Sequence, residues 1–135
     1  MIRFDPNALD AAARQLGLRL VVGFGSRASR SERAPAPDSD LDLALLAGDR
    51  HVSVFDALDT LAPAFPGADL DLVILNGADP LIRFEAMDGG DLLWGDPDLF
   101  AEQAAYAYRA FVDSADLRAT ETALARKTFA RLIHA

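Results

Sequence analysis

Cysteine is absent from this 135-residue chain, which excludes disulfide bridges and thiolate metal sites. Histidine is scarce: His51 and His134 are far apart in sequence and form no metal-ligand pair at helical spacing. No apolar run approaches the roughly 20 residues that span a bilayer, and nothing near Met1 resembles a signal peptide. The expectation is therefore a soluble, cytoplasmic protein with no membrane partner. Excess positive charge is also missing. A formal net charge of −8 argues against direct, non-specific binding to nucleic acid.

What is present is enough apolar material for a core. Hydrophobic residues make up 51% of the chain, and its length fits one domain spanning residues 1–135. Charge divides it unevenly. Residues 1–97, read as a catalytic α/β core, carry the whole negative excess; residues 98–135, read as a helical tail, are neutral. The last nineteen residues hold Arg118, Arg126, Lys127 and Arg131 against Glu121 alone. Cations near a helix end suit the macrodipole, and a docking tail would use them equally well.

Asp5-Pro6 reads as a helix cap followed by proline at the first helical position, and Gly17 stops that helix. Leu18 to Phe24 is a short, branched, apolar run ending at glycine, which predicts a buried strand. Gly25 to Ser39 is a loop rich in Ser, Arg and Pro. Strands are predicted over 40–46 and 69–75, with an amphipathic helix between them that ends at Pro63 or Pro66. Asp79 caps a short helix that runs to Met87, and Leu92-Leu93-Trp94 predicts a short edge strand. From Asp98 onward there is no Gly or Pro, so one long helix or a pair joined near residues 113–116 follows. The order predicts an α/β (α+β) fold: a small mixed sheet with helices packed on one face, plus the C-terminal helix or pair.

The chemistry lies in three aspartates and one turn. Asp40 and Asp42 flank Leu41, so on a strand both carboxylates point to one face. With no basic residue between them they repel, which raises at least one pKa; a divalent cation removes that penalty. Asp71 lies inside an apolar strand, on the face of Asp69, Val73 and Leu75. An acid there is costly unless it is paired or metal-bound. Gly25-Ser26 follows a buried strand, where glycine admits close approach of a ligand and serine adds a donor. Taken singly, a Gly-Ser turn or an Asp-x-Asp at a strand mouth is common and solvated. Together they suit hard cations such as Mg²⁺, which take oxygen ligands and substrate phosphates.

Phe24-Gly25-Ser26-Arg27-Ala28, Asp38-Ser39-Asp40-Leu41-Asp42-Leu43, Asp71-Leu72-Val73 and Pro80 to Glu85 carry a resemblance. The chain resembles the nucleotidyltransferase superfamily of polymerase-β type, and within it the minimal MntA-like antitoxins paired with HEPN-domain ribonuclease toxins. The resemblance implies a nucleotidyltransferase-like fold. It implies ATP and two Mg²⁺ ions, with Asp40, Asp42 and Asp71 as catalytic residues and metal ligands. Gly25, Ser26 and Arg27 would bind the nucleotide. It further implies AMP transfer to a tyrosine of a HEPN toxin, within a hetero-oligomer that silences the toxin. Two alternatives stand beside it: an antitoxin acting by contact alone, and transfer to a small molecule. The stretch from Ser26 to Asp40 is about three residues longer than is usual for such chains, with 31–35 as the insertion. Ile74 stands where relatives often carry another acid.

Overall fold

The computed structural model describes residues 2–25 and 40–134. Helix α1 (Pro6–Leu16) starts where the Asp5 carboxylate accepts from the backbone N–H of Asn7 (3.0 Å) and Ala8 (3.3 Å). It stops at Gly17, whose left-handed φ of 69° lets its N–H cap the last turn. Strand β1 (Leu18–Phe24) follows, then β2 (Leu41–Ala47), α2 (Val54–Leu61), a 3₁₀ turn (Ala62–Ala64), β3 (Leu70–Ile74), α3 (Pro80–Met87), β4 (Asp91–Gly95), α4 (Pro97–Asp113) and α5 (Ala115–His134).

The four strands form one mixed sheet in the order β3-β2-β1-β4. β1 runs antiparallel to both β2 and β4, whereas β2 and β3 are parallel. A parallel pair needs a crossover, and α2 supplies it. The short strand expected at Leu92–Trp94 is present as β4 on one edge. The C-terminal segment is a pair of helices, broken at Ser114.

One expectation is corrected: helices cover both faces of the sheet, not one. Leu41, Leu43 and Leu45 of β2 meet Leu9 and Ala13 of α1, Ala57 and Leu61 of α2, and Phe65. On the opposite face Leu20, Val22, Ala44, Leu46 and Leu75 meet Ala86 and Met87 of α3 and Ala107 of α4. The cause lies in the two central strands. Val21 and Val22 of β1, like Ala44 and Leu45 of β2, are fully buried on opposite sides. A sheet apolar on both faces must be layered on both.

Polar groups then fix the ends. The Asn76 amide accepts from the Ala47 N–H (2.8 Å) and donates to the Ala47 carbonyl (3.0 Å), extending the β2–β3 ladder with a side chain. Trp94 Nε1 donates to Asp10 (2.9 Å), which also pairs with Arg14. These two bonds hold the Asp10 carboxyl below its ordinary pKa, with the Trp94 bond the larger cause. Trp94 packs against the α1–α2 core. Tyr106 and Tyr108 stand largely exposed on α4, which buries only Ala107, yet each packs against α3: Tyr106 under Arg83 and Tyr108 beside Phe84.

Helix α5 packs on the end of α4, where the Arg118 guanidinium lies 4.0 Å from the Phe111 ring centroid. Its Leu117 and Leu124 are exposed. No helix among the described residues is long and apolar enough to cross a membrane.

Asn76→Ala removes both bonds to Ala47 and leaves a strand end frayed. The expected loss is about 1–2 kcal/mol in urea unfolding, with an unchanged m-value.

Candidate active site

Three strand ends meet at one edge of the α3–α4 face. β1 ends there at Phe24, β2 enters at Leu41, and β3, parallel to β2, enters at Leu70. The register sets Asp42 opposite Phe24 on one side and opposite Asp71 on the other. Because side chains alternate, Asp42 shares its face with Ala44 and Leu46, and Asp71 shares its face with Leu75. The two acids are thus cross-strand neighbours on the same face.

Gly25 completes the corner. It has φ 76°, and a Cβ built on it would lie 2.3 Å from Asp42 Oδ2. The carboxylate therefore rests on the Gly25 backbone, in space that any side chain would fill. Glycine is required there twice over, for the left-handed conformation and for the contact.

Asp42 is half-buried, and its carboxyl is pushed above its ordinary pKa. Desolvation is the largest cause. The negative charges of Asp71 and Asp40 follow, then a hydrogen bond to Asp71, which Asp42 can donate only while it carries its proton. This is the electrostatic conflict expected of unneutralised carboxylates on one face. A bound cation would relieve it, and the all-oxygen donor set suits a hard ion such as Mg²⁺.

The geometry is sharper for two acids than for three. Asp42 and Asp71 converge. Asp40 is exposed just before β2 and acts on Asp42 as a neighbouring charge. Among the described residues no group of three acids or histidines is gathered tightly enough to hold a metal ion. Asp69, on the face of Asp71, is exposed just before β3, and its carbonyl accepts from the Leu41 N–H (2.8 Å). Ser26 and Arg27, with Arg30, Arg33 and the insertion at 31–35, lie outside the described residues.

Arg83 carries more structure than its sequence position conveys. It is half-buried; its Nη2 donates to the Leu75 carbonyl (2.7 Å) and its guanidinium lies 5.0 Å from the Tyr106 ring centroid. It thereby ties α3 to β3 and α4. On the same sheet face, α3, α4 and the start of β4 enclose a cleft of about 420 Å³ that includes Phe84, Gly90, Asp91 and Tyr108. Two other clefts, bounded by Arg50 to Ser53, lie at the opposite end of the sheet, near Leu16, Ala47 and Asn76.

These features define a class. The family model of polymerase β nucleotidyltransferases matches residues 9–98, and the chain belongs to that family. Its fold is also that of chains in solved toxin–antitoxin complexes. A toxin–antitoxin structure with AMP-PNP is 24% identical, with a TM-score of 0.69, over 93% of this chain and 98% of that one. The MntA–HepT toxin–antitoxin gives 23% identity and a TM-score of 0.64, over 92% and 96%. The complex of tri-AMPylated Shewanella oneidensis HEPN toxin with MNT antitoxin gives 24% and 0.64, over 92% and 95%. Comparison with curated proteins finds no match.

A sign follows for pH. Asp42 binds its proton more tightly in the folded chain, so its contribution to stability is fully present below the ordinary value of 3.8. It is lost as pH rises through the raised folded value. In metal-free buffer at neutral pH, Asp42→Asn is expected to melt a few degrees above wild type. Mg²⁺ is expected to raise the wild-type Tm and leave the variant's nearly unchanged, read by thermal denaturation with and without EDTA.

Proposed function

We propose that this chain is a Mg²⁺-dependent protein adenylyltransferase that moves AMP from ATP to a tyrosine of a partner HEPN toxin and so silences it. The observation that carries this reading is the Asp42–Asp71 pair set against Gly25 on a polymerase-β nucleotidyltransferase fold. The AMP-PNP and tri-AMPylated toxin in the structures of similar fold support the choice of donor and acceptor.

In this reading Gly25, Ser26 and Arg27 would hold the triphosphate, and Asp40, Asp42 and Asp71 would supply the carboxylates for two Mg²⁺ ions. The ions would neutralise charge on the phosphate oxygens. The phenol oxygen attacks the α-phosphorus, forming an O–P bond. The bond from that phosphorus to the bridging oxygen breaks, and pyrophosphate leaves with the electron pair. The phenol proton would pass to a carboxylate, and the exposure of Asp71 at the strand mouth supports assigning it this role.

The test uses labelled ATP, Mg²⁺ and a HEPN toxin as candidate acceptor. Wild type is expected to label the toxin. Asp42→Ala and Asp71→Asn are expected to lower the rate by about 10²–10⁴-fold. Equal labelling by wild type and both variants would exclude the reading.

A contact-only antitoxin is favoured by one observation, the exposed Leu117 and Leu124 on α5. It predicts that Asp42→Ala still protects cells while truncation from Leu117 does not. Because no described residue of α5 belongs to either core, that truncation is expected to shift the Tm by no more than a few degrees, which circular dichroism would check.

A further inference from the structure

The chain has two tyrosines, Tyr106 and Tyr108, and both stand on α4. Their surroundings differ. The Arg83 guanidinium lies 5.0 Å from the Tyr106 ring centroid, and Arg83 is itself tied to the Leu75 carbonyl. One face of the Tyr106 ring is thus covered by a fixed cation. Tyr108 is 59% exposed, and its ring leans on Phe84 at a centroid distance of 6.4 Å. Phe84 is stacked in turn on Phe111 at 4.2 Å. This brace restrains the Tyr108 ring and leaves it open to solvent. A phenol already held in place loses little rotamer freedom on entering a site of another molecule.

The acids of its own chain are out of reach. Tyr108 borders the α3–α4 cleft, which is lined by Leu92 of β4. Leu92 pairs with Val22 of β1, and Val22 with Ala44 of β2. The cleft therefore lies two strands, about 10 Å, from the strand of Asp42, and Asp71 is one strand further. A nucleophile must come within about 3–3.5 Å of the atom it attacks. Within one chain, Tyr108 would have to leave its aromatic brace to reach a phosphorus beside those acids. A second copy can bring its Tyr108 to them from solvent. Arg109, next to Tyr108 and exposed, would then meet the strand mouth where Asp40, Asp69 and Asp71 are exposed. That attraction offsets part of the repulsion between two chains of net charge −8.

From this placement we infer that Tyr108 is a modification site, to which a second copy of the chain transfers AMP. The inference rests on the adenylyl-transfer reading and adds an acceptor to it. The Tyr108 oxygen forms a bond to the α-phosphorus of ATP held by the other copy. The bond from that phosphorus to the bridging oxygen breaks, and pyrophosphate leaves with the electron pair. The phenol proton passes to a carboxylate of the copy that holds the ATP.

The test adds labelled ATP and Mg²⁺ to the full chain without toxin and maps the labelled residue by mass spectrometry. Wild type is expected to take up AMP on Tyr108, at an initial rate per chain that rises with chain concentration. Tyr108→Phe is expected to lose this label yet modify a HEPN toxin as wild type does, which shows its site intact. Tyr106→Phe is expected to keep the label. A mixture then combines Tyr108→Phe, active but without the acceptor, with Asp42→Ala, which keeps the acceptor. Label on the Asp42→Ala chain is the expected result. An unlabelled Asp42→Ala chain in that mixture, or label on a residue other than Tyr108, overturns the inference. So does a wild-type chain that modifies the toxin and never itself, a result that leaves the proposed function standing. A chain that labels Tyr108 and no HEPN toxin supports the inference and overturns the proposed acceptor. Absence of label on chain and toxin alike overturns both.

Discussion

Two carboxylates held side by side on parallel strands set the terms for this molecule. Asp42 and Asp71 face each other because β2 and β3 share direction and register, not because they are close in sequence. Parallel pairing forces a crossover through α2, and α2 in turn needs an apolar face to pack on. The sheet, the crossover and the first core are thus tied to the placement of two like charges. The strain of that placement is visible in the raised pKa of Asp42. Buried Leu41 and Leu43, which flank Asp42 and point the other way, hold it in position.

The two faces of the sheet divide the work. The α1–α2 face is the larger core and carries no candidate chemistry. The α3–α4 face is apolar in its middle and acidic at one end, so it is packed where stability needs it and open where a ligand would enter. Gly25 marks the boundary: at that position the backbone itself, with no side chain, lies against the Asp42 carboxylate.

The same face is shaped by aromatic contacts between α3 and α4. Arg83 binds the Leu75 carbonyl and stacks on Tyr106, while Phe84 stacks on Phe111. These contacts lock α3, which follows β3 directly, to the helix that follows β4. The loop between α3 and β4, with Asp88 to Gly90, is therefore held against β1.

Much of the architecture was legible from local signals. Asp5-Pro6 and Gly17 bound α1, the apolar run to Phe24 gives β1, and the absence of Gly and Pro after Asp98 gives the C-terminal helices. The shared face of Asp40 and Asp42, and that of Asp71, follow from strand alternation alone. What sequence could not supply was which strands become neighbours. The burial of both sheet faces, the Asn76 bridge to Ala47 and the Gly25 contact with Asp42 all join distant segments. The chain by itself determined the chemical identity and facing of the acids, because alternation is a property of one strand. Only the tertiary structure decided that residues 42 and 71 meet, and that Tyr108 stands on their side of the sheet, because register and layer order arise from packing between segments.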